Sequence, residues 1–278
     1  DRLNLRCIFA PEPGLHVGRH AGMRAAASDV LIYADDDIEA EPTWVAAVVR
    51  AFEAPAVALV GGNNHPAFES EPPAWLKRWW SQPVGRGRAL GYLSVLDFGS
   101  GRFALDPSYV WGCNFSVRRQ ALESVGGFHP DGLPKSMLQF RGDGESHVAK
   151  AIEARGLQTV FDAEASVHHW VPTSRMTQAY FEQRGYAQGV SDSYAAVRRN
   201  RGTALPLAQR MRAKLRPSIG VWREQWRALG AKDDAAREMM VVRSATLKAW
   251  RRGFEFHQSS LRADPALLDW VLKETYLA

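Results

Sequence analysis

The apolar run Val30-Leu31-Ile32-Tyr33-Ala34 ends in three consecutive aspartates, Asp35-Asp36-Asp37. Leu31, Ile32 and Tyr33 predict a short buried strand bounded by polar residues. Three adjacent carboxylates at its tip repel one another, and a fold accommodates them where a cation or several donors neutralise the charge. The carboxyl ends of strands are also where open α/β sheets bind ligands. The cluster therefore reads either as a divalent-metal and phosphate site or as an acidic turn before a helix that starts at Glu41-Pro42. If the strand continues through it, Asp35 and Asp37 share a side and Asp36 points away, toward a ribose or a backbone donor.

The surrounding pattern alternates. Residues 5–9 read as a strand ended by Pro11, Pro13 and Gly14, and residues 16–28 as a short helix. Trp44, Val45, Val48, Val49 and Phe52 fall at helical spacing and predict a core-facing stripe. Residues 57–60 predict a strand stopped by glycines and asparagines. Residues 65–106, with frequent Pro and Gly, predict a long irregular stretch of the kind that is often functional. A strand pattern returns over 108–117, a short helix from Arg118, a longer helix over about 146–155, and short strands at 159–161 and 165–167. This order implies an α/β domain with a mostly parallel central sheet over residues 1–172. Residues 173–278 are helical by pattern: Leu207, Met211 and Leu215 share one face, Trp222, Trp226 and Leu229 another, and Leu267, Leu268, Val271 and Leu272 a third.

Composition narrows the partners. The net charge of +5 fits a phosphorylated ligand, an anionic polymer or a membrane surface. Cys7 and Cys113, both in strand-like apolar runs, are too few for a disulfide framework and are expected as buried thiols of a reducing compartment. No apolar stretch reaches the length of a membrane span, and no signal peptide is visible. The expectation is a cytoplasmic protein working at the inner face of the cell membrane. The helical region is basic and tryptophan-rich (Lys214, Arg216, Trp222, Arg223, Trp226, Trp250, Arg251, Arg252), and either packs over the acceptor side of the domain or lies peripherally on an anionic membrane.

Three further constellations carry chemistry. In Arg141-Gly142-Asp143-Gly144-Glu145, the glycines give a sharp turn and both carboxylates fall at a helix N-terminus. They are helix caps or a general base that takes a proton from a hydroxyl. His168-His169-Trp170-Val171-Pro172, followed by Arg175, offers an imidazole for a metal or phosphate and a guanidinium for a diphosphate. In Trp111-Gly112-Cys113-Asn114, Trp111 can stack on a sugar, Gly112 allows close backbone approach and Asn114 supplies a donor and an acceptor. Read structurally, the same segment is a core strand with a buried tryptophan.

The order of these pieces, with Gly14-Leu15-His16-Val17-Gly18-Arg19-His20-Ala21-Gly22 ahead of them, resembles the family 2 glycosyltransferases of the GT-A fold over about residues 5–190. The resemblance implies inverting transfer from a nucleotide-sugar donor to a saccharide or lipid-linked acceptor, in cell-surface polysaccharide or glycoconjugate synthesis, with no nucleic-acid partner. It implies a divalent metal, Mn2+ or Mg2+, at Asp35, Asp37 and His169. Arg19, Asp36, Trp111, Gly112, Asn114 and Arg175 would bind donor or acceptor. The base would be Glu145 or Asp143. Counting back from the helical stripe at Val148 and Ile152 prefers Glu145. This chain has Asp-Gly-Glu where the family usually has Glu-Asp, and Arg19-His20 where Arg-Asn is common. The family also begins with two further strands and a helix that grip the nucleotide base, so the expectation is an N-terminally incomplete domain whose sheet has an unpaired edge. Two other functions fit part of the pattern: a nucleotidyltransferase, and a decayed, non-catalytic transferase acting as a scaffold.

Overall fold

The computed structural model describes residues 5–202, 207–231 and 233–277, including the side chains of all but 207–217. After an irregular opening come α1 (Leu15–Ala25), β1 (Val30–Ala34), β2 (Ile38–Ala40), α2 (Trp44–Phe52), β3 (Val57–Gly61) and β4 (Asn64–Phe68). Next are α3 (Ala74–Trp80), β5 (Pro83–Val84), β6 (Gly87–Leu90), β7 (Val95–Asp97), β8 (Arg102–Ala104), β9 (Asn114–Arg118) and α4 (Arg119–Ser124). The chain continues through α5 (Glu145–Ala154), β10 (Gln158–Asp162), β11 (Val167–Val171), α6 (Gln178–Arg199), α7 (Leu207–Leu229), α8 (Asp234–Ala263) and α9 (Pro265–Leu272).

The strands form two sheets. The first has the order β1-β9-β3-β10-β8, and the second β2-β11-β4-β7-β6-β5. In the first, β1, β3 and β10 run in one direction, while β9, inserted between β1 and β3, and β8 oppose them. The α/β architecture expected from the sequence is present, with these antiparallel strands interleaved. β3 is buried at every position, as its continuous apolar run in mid-sheet requires. Leu122 of α4 and Val148 and Ile152 of α5 pack with Leu31, Leu59, Phe115 and Val117 of the sheet. Ala47, Val48 and Phe52 of α2 form a second cluster with Val57, Val60 and Val160.

The chain passes from the first sheet to the second at three places, and these make a seam. It crosses at Asp35-Asp36-Asp37 between β1 and β2, at Gly62-Asn63 between β3 and β4, and at residues 163–166 between β10 and β11. The seam is cross-bonded. The Asn63 amide donates to Ser166 Oγ (3.0 Å), Val167 N–H to Asn63 O (2.9 Å) and Trp170 N–H to Asp37 O (2.8 Å). Gly62 has to be glycine, because a Cβ there would sit 2.0 Å from Ala165 O.

Helices α6 and α8 pack on the second sheet, α7 packs on α8, and α9 packs on α6 and α8. Trp75 and Leu76 of α3, Leu90, Val95 and Val171 of the strands, Phe181 of α6 and Met239 and Val242 of α8 share one core. α6 and α8 run in close contact, and a Cβ at Gly189 would lie 2.0 Å from Trp250 O. Residues 275–277 return to α1, to the turn after α4 and to α6. Leu277 O accepts from Arg24 (2.7 Å), Thr275 Oγ1 donates to Gly126 O (3.1 Å), and the Tyr276 and Tyr194 hydroxyls bond (2.9 Å). No described helix is long and apolar enough to cross a membrane.

Several expectations change. Residues 5–9 are not a strand: no described strand lies beside them, so Leu5 and Phe9 stay exposed and so does Cys7, while Cys113 is buried as expected. The buried stripe of α2 runs through Ala47, Val48, Ala51 and Phe52, and Val45 and Val49, one residue off it, face outward. Residues 65–106 are ordered as α3 and five short strands. Residues 107–109 are a 3-10 turn, and the strand expected over 108–117 begins only at Asn114. His168 and His169 belong to β11 itself, paired to β2 and β4. The face predicted for Leu207, Met211 and Leu215, and the basic side chains of Lys214 and Arg216, lie outside the described residues.

Candidate active site

α1 turns an unusual face inward. Its buried residues are His16, Arg19, His20 and Met23, at spacing i, i+3, i+4 and i+7, so the helix buries polar groups where an ordinary amphipathic helix buries aliphatic ones. Such burial is sustained only by partners. Arg19 has them. Its Nη1 donates to Glu145 Oε1 (2.6 Å) and its Nη2 to Asp35 Oδ1 (2.8 Å) and Gly112 O (2.9 Å). One guanidinium therefore ties the strand-end acid, the helix-end acid and the backbone before β9 into a single cluster. A Cβ at Gly112 would lie 2.1 Å from Glu145 Oε1, so any side chain there would have to push the Glu145 carboxylate and the Arg19 guanidinium aside.

Glu145 is the first residue of α5. The turn before it needs Gly144 at φ 51°, a left-handed conformation that glycine adopts without steric cost. Burial opposes ionisation of Glu145, but the carboxyl is held below its ordinary range, and at neutral pH the standing positive charge beside it is the hydrogen-bonded Arg19 guanidinium. His16 lies 3.8 Å from Glu145 Oε2, and burial above all lowers its own pKa, so it stands as a neutral ring stacked on Phe128 at 4.7 Å. Neither His16 nitrogen has a hydrogen-bond partner among the described residues.

Asp143, two residues earlier, faces a different environment. It bonds His129 Nδ1 at 2.6 Å and pairs with Lys150 at 3.3 Å. Burial, the largest single influence, pushes its pKa up, but the His129 hydrogen bond and the neighbouring charges together outweigh it, and the net shift is downward. His129 in turn stacks on His147 at 3.5 Å. Asp131 is gripped by the Arg141 guanidinium at 2.5 and 2.9 Å.

These groups border a cleft of about 600 Å³ between the two sheets and α6, lined by Asp35, Trp111, Gly112, Asp143 and Glu145, with Arg184 from α6. Trp111 is half-buried and donates its indole N–H to Ser108 O (3.0 Å). The other sequence-predicted residues lie elsewhere. Asp37 meets Arg175 (2.9 Å) and His169 Nε2 (3.3 Å) on the second sheet's side of the seam. Asp36 is exposed. Asn114 is 1% exposed and wholly used by the scaffold, since its Oδ1 accepts from Trp44 Nε1 (3.0 Å) and its Nδ2 donates to Ala165 O (2.9 Å). Its amide braces the seam and does not line the cleft.

The expected metal trio is therefore split, with Asp35 turned to Arg19 and Asp37 to His169 and Arg175. Among the described residues, the closest groupings of three potential ligands are His16–Asp131–Glu145 and His129–Asp143–His147. Sequence reasoning named neither His16, Asp131, His129 nor His147 as a site residue. For His16 a signal existed: it lies three residues before Arg19, hence on the same helical face.

Residues 1–126 match the model of glycosyl transferase family 2. The chain is 24% identical, over 64% of its own length and 54% of the relative's, to a glucosyl-dolichyl phosphate glucuronosyltransferase of Haloferax volcanii. It is 27% identical, over 47% of its length and 35% of the relative's, to a validoxylamine A glucosyltransferase of Streptomyces hygroscopicus subsp. jinggangensis. The match thus spans about half of the first relative and a third of the second.

Proposed function

We propose that this chain, whose residues 1–126 match glycosyl transferase family 2, moves a sugar from a nucleotide-diphosphate donor to an acceptor hydroxyl with inversion. The observation that carries this reading is the Arg19 bridge, which sets a strand-end aspartate and an ionised helix-end glutamate beside one cleft. Residues 1–172 act as the catalytic unit, and residues 173–278 cover the cleft through α6. Glu145 is the base. It is ionised, and so can take the proton of the acceptor hydroxyl as that oxygen attacks the anomeric carbon. The bond to the diphosphate breaks on the opposite face, and the configuration inverts. Asp143, committed to His129, is a positioning residue that holds the turn from which Glu145 projects. Trp111 offers its ring face to a sugar. Arg175 offers its fork to the diphosphate, while Asp36, exposed at the strand end, is placed for the ribose.

The residues at the seam fit a hard divalent cation, Mn2+ or Mg2+. Asp37 Oδ1 is buried with no hydrogen-bond partner, and burial lowers the pKa of the adjacent His169, leaving a neutral imidazole. Asp37 and His169 would hold the ion, and Asp35 would join them only by leaving Arg19. When bound, it supplies positive charge against the diphosphate. One relative is named for a glucosyl-dolichyl phosphate, which favours a lipid-linked saccharide as acceptor and cell-surface glycoconjugate synthesis as the setting.

The test is a panel of nucleotide sugars with Mn2+ or Mg2+, using the parent chain, Glu145→Gln and Asp37→Ala. Glu145→Gln is expected to retain donor binding and lose transfer by about 10²-fold or more, and Asp37→Ala to lose metal-dependent binding of a nucleoside diphosphate. Parental turnover in Glu145→Gln would remove the base assignment. Unchanged titration in Asp37→Ala would remove the metal site.

A further inference from the structure

Most large apolar side chains of this protein are buried, but one helix carries a row that is not. Ile219, Trp222, Trp226 and Leu229 of α7 are 60%, 63%, 65% and 84% exposed. Their spacing of three, four and three residues puts them on one stripe, at 100° per residue an arc of roughly 80° and about 15 Å long. The two indoles stack on each other at 5.8 Å. Single exposed apolar residues are ordinary on protein surfaces, whereas a continuous row of four marks a surface that meets something.

The opposite face of α7 fixes the stripe outward. Glu224 is 1% exposed and lies 3.6 Å from Arg243 of α8, which also donates to Gln82 (3.1 Å) and sits over the Trp79 ring. Rolling the stripe inward would drag this buried carboxylate out of its ion pairs. The rim of the stripe is cationic. Arg223 and Arg227 follow it on one side, and Glu224 is the one acid among residues 218–229 and is buried. A second copy docking stripe to stripe would bring arginines against arginines, and residues 218–229 hold no exposed carboxylate to answer them. An anionic bilayer answers both properties: the indoles and aliphatic chains enter the headgroup–acyl boundary while the guanidiniums meet lipid phosphates and carboxylates.

We infer that the 219–229 stripe of α7 is a membrane-docking surface that seats this protein on anionic lipid. α7 packs on α8, and α8 packs on α6, whose Arg184 lines the cleft. The proposal goes beyond glycosyl transfer and is tested without any donor. The full chain is sedimented with vesicles of phosphatidylcholine alone and with about one-third phosphatidylserine, alongside Trp222→Ser/Trp226→Ser and Arg223→Gln/Arg227→Gln variants. The expected result is pelleting that depends on phosphatidylserine and weakens at high salt. The tryptophan pair should lose about tenfold or more in partitioning, with its melting temperature unchanged because those side chains are exposed, and the arginine pair several-fold, with some loss of melting temperature because Arg227 and Arg223 also pair with Glu224. Pelleting that is absent in the parent, or equal in parent and tryptophan variant, would overturn it. So would a dimer in the parent that the tryptophan substitutions dissolve while vesicle binding stays nil.

Discussion

At the scale of single residues, the cleft is organised around contacts too close to admit a methyl group. The α-carbon of Gly112 faces the Arg19–Glu145 pair. Gly112→Ala should displace Glu145 and lower transfer by about a hundredfold, the cost of an ångström-scale misplacement. Gly18→Ala, on α1 with open space around it, is the matched control. It should leave transfer unchanged and raise stability by about 0.5–1 kcal/mol through helix propensity. Rates and denaturant midpoints of the two variants separate the effects. Asp35, Trp111, Gly112 and Glu145 were legible in the sequence because acidic and Gly-rich runs at element ends carry few other meanings. His16 and Asp131 were not, since what makes them notable is proximity to Glu145, and His16 lies far from it in sequence. Asn114 was over-read. An amide in a motif looks like a ligand until its partners, Trp44 and Ala165, are seen to satisfy it.

Among elements, periodicity reported α5 and α9 well, because each has a buried apolar stripe that repeats, and it found α2 with part of its stripe one residue off. It failed where structure depends on partners. Residues 5–9 have strand-like composition but no described strand to pair with, and the strands between residues 65 and 106 are too short for alternation to register. Gly185 and Gly189 lie in mid-α6, where propensity disfavours them, yet they let α6 and α8 approach to backbone contact. Gly189→Ala would place its methyl 2.0 Å from Trp250 O. It should cost about 1–3 kcal/mol by overpacking, read as a lower denaturant midpoint, despite the better helix former.

For the molecule as a whole, buried histidines set the acid limit of stability. Burial lowers the pKa of His20, His129 and His257 to about 4 each, against about 6.5 in the unfolded chain. Between those values the unfolded state binds more protons, so stability is full above pH 6.5 and is lost as pH falls toward 4. Each group costs up to about 1.4 kcal/mol per pH unit in that window. Melting temperature should therefore fall steadily from pH 7 to pH 4.5, and a flat profile would contradict the burial of these rings. The tail contacts bear on the time course of synthesis. Thr275 covers a glycine turn 149 residues upstream of it, and Leu277 meets Arg24 across 253 residues. At ribosomal speed the turn at Gly126 waits about ten to thirty seconds for the strand of chain that will cover it. During that interval the nascent α/β sheet is a client for chaperones, with its last seat still open.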